Sequence, residues 1–368
     1  MDSRCVRFAL RRRCFSKRSD GAFLPMQSVV VTGASGFIAK HVIVKLLNAG
    51  FAVRGTIRDA KKGAGIYQAI EGVCGPDIAK NLDLFECDLL ASDGWGQVFS
   101  GVDALMHLAT VVPAREPKDP SLVIRPAIEG TERVMRYASI AGVRRVVMTS
   151  SIAAIGYGQH KPGKLIKLGA DDWTDVEGLK GTWSYPKAKT LSEKRAWSLA
   201  KESGMNLTVI CPSMVLGPAV DADTSASLEI VKRLMNGQVP ILPPGGMSVV
   251  DVRDVAQIHV AALGNESSHG KRIIASAQYM SFLEVADILR AAYPGGKFPS
   301  LTAPIWLMKM VGKFDRTIKQ VAHDLETVRH YDGAPGVELM AREYRDGQEA
   351  MLAAAESLIE LGLAKSGS

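Results

Sequence analysis

The stretch Val29-Val30-Val31-Thr32-Gly33-Ala34-Ser35-Gly36-Phe37-Ile38-Ala39 decides the architecture. A β-branched run, a G-x-x-G-x-x-A turn, and then Ile38, Val42, Ile43, Leu46 and Leu47 at helical spacing read as strand, tight turn and amphipathic helix. Gly33 permits the turn, Gly36 lets backbone amides approach a pyrophosphate, and the small Ala39 lets the helix pack close on the strand. The positive N-terminus of the helix is thereby aimed at phosphates. The motif predicts a dinucleotide site whose turn residues are Gly33, Ser35, Gly36, Phe37 and Ile38.

Outward from this turn, apolar runs at 28–32, 51–57, 82–87, 104–108, 145–149 and 207–211 alternate with helical stretches. That alternation predicts an α/β fold: a Rossmann doubly wound parallel sheet with helices on both faces. Ile124, Ile128, Thr131, Met135 and Ala138 recur at spacings of four and three and predict the sheet-covering stripe of one helix. Beyond Cys211, Pro212, Gly217, Pro218, Pro240, Pro243, Pro244, Gly245 and Gly246 interrupt the pattern. The expected organisation is an extension over 1–25, a dinucleotide-binding domain over 26–211 that carries the catalytic residues, and a smaller α/β substrate lobe over 212–368. Some segments of that lobe are expected to return to the first domain. Helices are expected at 252–263, 282–292 with Ser281 as cap, and 349–361.

The chain has 368 residues, 47% hydrophobic and 23% charged, which excludes a disordered or stapled peptide class. No apolar run approaches the ~18 residues of a membrane span. The net charge of +7 is concentrated in residues 1–25, where seven basic side chains face Asp2 and Asp20. The remaining 38 basic and 36 acidic residues leave too little excess for phosphate-backbone binding, so no nucleic-acid partner is expected. The Arg-rich extension has the composition of an organellar transit peptide, while Met26 followed by an apolar strand fits an overextended start equally well. Five scattered cysteines without a C-x-x-C pair suggest a reducing compartment, the cytoplasm unless residues 1–25 direct import. The histidines show no ligand spacing; His107 is expected as a satisfied strand-end residue, and no metal site is expected.

At the end of the second strand an acid would hold NAD and a base would accept the NADP phosphate. Arg58, with Lys61 or Lys62 following, favours NADP, with Asp59 dissenting. Tyr185 and Lys189 lie four apart in Ser184-Tyr185-Pro186-Lys187-Ala188-Lys189, so both project from one helix face. Pro186 confines Tyr185 to the first turn. A phenol titrates near 10, and an adjacent ammonium from Lys189 is expected to lower it toward neutrality. Upstream, Thr149-Ser150-Ser151 brings hydroxyls to the carboxyl edge of the sheet.

In these segments, together with His107-Leu108-Ala109-Thr110 and Cys211-Pro212-Ser213-Met214-Val215-Leu216-Gly217-Pro218, the chain resembles an extended short-chain dehydrogenase/reductase. Within that superfamily it is similar to the dihydroflavonol reductase, cinnamoyl-CoA reductase and microbial aldehyde reductase group. The resemblance implies NADPH-dependent reduction of an aldehyde or ketone. Ser151 would polarise the carbonyl, Tyr185 would deliver the proton, and Lys189 would hold the nicotinamide ribose. It further implies that Arg58, with Lys62, meets the NADP phosphate, that Asp88 and Leu89 border the adenine, and that Ala109, Thr110 and Pro212 line the nicotinamide. Gly55 departs from the group, where a larger residue is usual.

Val111, Val112, Pro113, Ile155, Tyr157, Trp183, Met214 and Val215 are expected to form a pocket for a small carbonyl compound with an apolar body. Two other classes stay open: an epimerase, dehydratase or sterol dehydrogenase that retains its cofactor, and a non-catalytic NADP-binding sensor. A monomer or homodimer without membrane attachment is expected.

Overall fold

The computed structural model describes residues 15–17, 23–25, 27–110, 116–159, 163–179, 183–314, 318, 325 and 327–366. Within the extension, Phe15–Lys17 pairs antiparallel with Phe23–Pro25, and the rest of residues 1–26 lies outside the described residues.

The central sheet is built from β1 (Ser28–Thr32), β2 (Ala52–Ile57), β3 (Leu82–Glu86), β4 (Ala104–His107), β5 (Arg145–Thr149), β6 (Asn206–Pro212) and β7 (Arg272–Ala275). They run parallel in the order β7-β6-β5-β4-β1-β2-β3. The order reverses between β1 and β4, and in an open sheet of this kind the crevice at the carboxyl ends of those two strands is where ligands bind. Helices α1 (Phe37–Asn48), α2 (Ser121–Ile140) and α3 (Ser184–Ser203) pack on the sheet. The central strands are buried on both faces; Val29, Val30 and Val31 are fully covered, which is why they read as an unbroken apolar run.

A second sheet holds Met214–Leu216, Gly246–Asp251 and Gln278–Ser281, and Leu165–Leu168 pairs in parallel with Val328–Tyr331. The expected helices appear as Val252–Gly264, Phe282–Ala292, where Ser281 and Glu284 form a complete capping box, and Gly347–Glu360. No helix among the described residues is long and apolar enough to cross a membrane.

Two expectations are corrected. The buried side of α2 is Val123, Ala127, Gly130, Thr131, Val134, Met135 and Ala138, with Ile124 and Ile128 only partly covered. Its first half meets α3 through Val123, Ala127 and Ala188, which rotates the buried face away from a single sheet-facing stripe. Gly55, where the resemblance leads one to expect a larger residue, is required by packing: a Cβ there would lie 2.8 Å from Ala34 Cβ and 2.9 Å from Leu84 Cδ2. Gly55→Ala is expected to cost about 1–3 kcal/mol. A thermal midpoint equal to that of the parent protein would show that the turn yields freely.

Candidate active site

The turn after β1 is fixed from two sides. Thr56 on β2 accepts from Gly33 N through its hydroxyl (3.1 Å) and from Ala34 N through its carbonyl (2.8 Å). Thr32 Oγ1 accepts from Leu108 N and Ala109 N, both at 3.0 Å, and so ties the end of β4 to the turn. Gly33 has φ +72°, and a Cβ there would meet Ala109 Cα at 3.0 Å, so both conformation and space demand glycine. α1 then starts at Gly36 with no side-chain cap and no acid in its first turn, leaving its amides available to an anion. Just past the end of β6, with β5 and β4 between it and β1, the buried Ser213 hydroxyl has no hydrogen-bond partner among the described residues. A glycine cradle, an uncapped positive helix end and a buried hydroxyl in need of a partner fit a dinucleotide.

The residues expected around that cradle differ in what they offer. Ser35, Gly36 and Ile38 retain exposure, whereas the Phe37 side chain is core, edge-on to His41, so only its amide faces the turn. Arg58 is exposed at the end of β2. Asp59 is occupied, capping the following turn by accepting from Lys61 N at 3.0 Å, which removes it as a rival for a ribose. Lys62 Nζ pairs with Asp223 at 3.1 Å, so its ammonium is engaged by the segment after the second lobe's first strand. Asp88 accepts from Leu90 N (2.9 Å), the Leu89 side chain packs on the Gly130 position, Ala109 and Thr110 are half-buried beside Gly33, and Pro212 ends β6 opposite Ala275.

Tyr185 is the second residue of α3 and Pro186 the third, so proline occupies the first turn as expected. Of the two serines, Ser150 Oγ donates to Glu193 Oε2 at 2.5 Å, while Ser151 Oγ accepts from Ala153 N at 3.1 Å and shares a hydrogen bond with Tyr185. Geometry therefore leaves Ser151 as the hydroxyl facing the phenol. The expected lowering of Tyr185 by Lys189 is not what the site shows: burial pushes the phenol up, and the Ser151 hydrogen bond is what opposes it. Lys189 Nζ instead donates to the Thr149 carbonyl at 3.2 Å, and burial brings its own pKa down to about 8.

His107 sits beside that ammonium. Thr32 Oγ1 already accepts two amides, so it donates to His107 Nδ1 (2.9 Å), and His107 Nε2 donates to Thr131 Oγ1 (3.3 Å). The ring is neutral; burial first, then the Lys189 charge, lowers it to about 3. His107 is thus a satisfied strand-end residue, as expected.

The pocket expectation is partly corrected. Ile155 and Val215 are buried in the two main cores, Ile155 at the end of the turn after β5 and Val215 on a strand of the second sheet, paired with Val250. Tyr157 and Trp183, edge to face at 4.8 Å, and Met214 keep exposure; Val111, Val112 and Pro113 lie outside the described residues. A cavity of about 550 Å³ lined by Trp173, Trp197, Lys271 and Pro335 lies at the start of β7, at the opposite end from the turn. Sequence reasoning missed Ser213, Glu193, Thr32 and Asp223. A strand-end threonine before the first glycine was the available signal for Thr32; Glu193 and Asp223 depend on partners distant in sequence, and nothing around Ser213 marks its hydroxyl as unpartnered.

Residues 29–275 match the NAD dependent epimerase/dehydratase family. An anthocyanidin reductase ((2S)-flavan-3-ol-forming) of Vitis vinifera is 30% identical over 74% of this chain and 83% of its own length. A cinnamoyl-CoA reductase of Medicago truncatula is 33% identical over 75% of this chain and 83% of its own. The crystal structure of a yeast methylglyoxal/isovaleraldehyde reductase complexed with NADPH superposes with a TM-score of 0.75, at 24% identity over 91% of this chain and 99% of that one.

Proposed function

The chain belongs to the NAD dependent epimerase/dehydratase family, the extended short-chain dehydrogenases and reductases, and on that membership we infer that it is an NADPH-dependent reductase of a small carbonyl compound. The single observation that carries the reading is the convergence of Ser151, Tyr185 and Lys189 on the carboxyl edge of the sheet beside the glycine turn. NADPH supplies the hydride. Ser151 donates toward the developing oxyanion and supports the phenolate left behind, Tyr185 gives its proton to that oxygen, and the Lys189 ammonium holds the nicotinamide ribose.

Gly33, Ser35, Gly36, Phe37 and Ile38 are assigned to the pyrophosphate and Arg58 to the NADP phosphate, while Asp88, Leu89, Ala109, Thr110 and Pro212 border the bases. Lys62 can join only by leaving Asp223. Arg58→Ala is expected to weaken NADPH binding about ten- to a hundredfold, the value of a charge-assisted hydrogen bond, with NADH binding unaltered. Equal loss for both cofactors would remove Arg58 from phosphate recognition.

The aromatic pair Tyr157 and Trp183, with Met214, supports a substrate with an apolar body. Among the described residues Cys74, Cys87 and Cys211 form no disulfide, which supports a reducing, cytoplasmic setting. Residues 26–211 and 212–368 are read as the dinucleotide and substrate domains, in a monomer or homodimer. The test is consumption of NADPH against NADH with a panel of aromatic and aliphatic aldehydes and ketones. Turnover with NADPH is expected, and tight NADPH binding without reduction of any carbonyl would overturn the reading.

A further inference from the structure

We propose that Glu193 is a positioning residue for the catalytic set, a single buried carboxylate that fastens the serine loop and the Lys189 helix to the last strand of the sheet. The proposal rests on the reading in which Ser151, Tyr185 and Lys189 carry the reaction. Glu193 lies one helical turn after Lys189 on α3 and is fully buried. Four residues donate to it: Ser150 Oγ (2.5 Å), Arg272 at the start of β7 through Nε (2.6 Å) and Nη2 (3.4 Å), Trp197 Nε1 (3.2 Å) and, at 4.0 Å, Cys211 Sγ.

Arg272 is itself held. Its guanidinium carbon lies 3.8 Å from the centre of the Trp173 ring, and its Nη1 donates to the carbonyls of Ala170 (2.7 Å) and Asp172 (2.5 Å). The carboxylate therefore has one place to be. Two consequences follow for the site. Ser150 is drawn away from the cleft, which leaves Ser151 alone to face Tyr185. A negative charge also stands behind Lys189, whose surroundings among the described residues are the Thr149 carbonyl, neutral His107 from β4, Tyr185 and Glu193 from α3, and Cys211 from β6, with Arg272 beyond Glu193. Burial disfavours the ammonium, while Cys211 and Glu193 favour it. Stability alone is a poor reason for such a pair, since apolar replacement of a buried ion pair is often neutral or better.

The experiment uses the full chain and four variants. The pH midpoint for acylation of Lys189 by acetic anhydride, read by peptide mass spectrometry without added cofactor, is measured beside NADPH-dependent turnover. Glu193→Gln is expected to lower the midpoint by about one pH unit and to move the alkaline limb of kcat with it, and Glu193→Asp to restore both. Ser150→Ala, which removes only one hydrogen bond, is expected to lower kcat about tenfold with NADPH affinity unchanged. An unmoved midpoint in folded Glu193→Gln overturns the proposal; should that variant not fold, unchanged kcat in Ser150→Ala does so. Tyr185→Phe separates the two readings: undiminished turnover there removes the catalytic assignment itself, whatever Glu193 does.

Discussion

Replacing Tyr185 with phenylalanine is expected to lower kcat for carbonyl reduction by about a hundred- to ten-thousand-fold, the range of a lost general acid, while NADPH affinity and the thermal midpoint stay near those of the parent protein. The ring stays, so packing in the first turn of α3 is kept; only the oxygen that shares a hydrogen bond with Ser151 is lost. Direction matters here. Burial raises the phenol, so at neutral pH Tyr185 holds its proton, the state a donor needs when hydride arrives at the carbonyl. The phenolate that follows is the costly species, and the Ser151 hydrogen bond is what opposes that cost. Burial brings Lys189 to about 8, so with its ammonium proposed to hold the nicotinamide ribose the parent enzyme is expected to lose kcat on the alkaline side of about pH 8. A Tyr185→Phe protein within threefold of the parent kcat would take the phenol out of the chemistry.

The parts of the fold that were legible are those whose cause is local. Val29, Val30 and Val31 are apolar because both faces of β1 are covered, Gly33 is glycine because φ is +72°, and Pro186 stands where a helix has no amide to lose. Each of those constraints acts within a few residues and leaves its mark in spacing. The features that were not legible join residues far apart in the chain. Glu193 and Arg272 are 79 positions apart, and nothing around either marks it as half of a buried pair. The contact of Lys62 with Asp223 was likewise invisible, because the two lie 161 positions apart. Ile155 and Val215 read as pocket residues because apolar side chains after a strand look alike whether they line a cleft or close a core. Gly55 looked permissive because the side chains of Ala34 and Leu84 that crowd it come from other elements.

The same burial that shapes the site sets a second large effect, a steep loss of stability in mild acid. His107 is held neutral with its pKa near 3, and His259, which donates Nδ1–H to the Val255 carbonyl and accepts from Thr149 Oγ1, near 4; burial is the first cause for both. Unfolded, each titrates near 6.5. Below that pH the unfolded chain therefore binds protons the folded chain refuses, so stability is full above about 6.5 and is lost as pH falls toward the folded values. With both histidines counted, the slope approaches about 2.7 kcal/mol per pH unit near pH 5, and His41, lowered mainly by burial, adds in the same direction. Carboxylates with depressed pKa, such as Glu132 near 2 between Arg195 and Arg136, act only below about 4.5 and so fall outside this window. Urea midpoints at pH 7, 6 and 5 are expected to drop steeply over the last interval, and His259→Gln is expected to remove its share of the slope. The two effects are coupled: protonating His107 would set a second cation against Lys189, so the ammonium proposed to serve catalysis has a neighbour kept neutral at the expense of acid stability. Midpoints that stay level from pH 7 to 5 would mean that the two rings take up protons in the folded protein, and the neutral wall behind Lys189 would be lost with them.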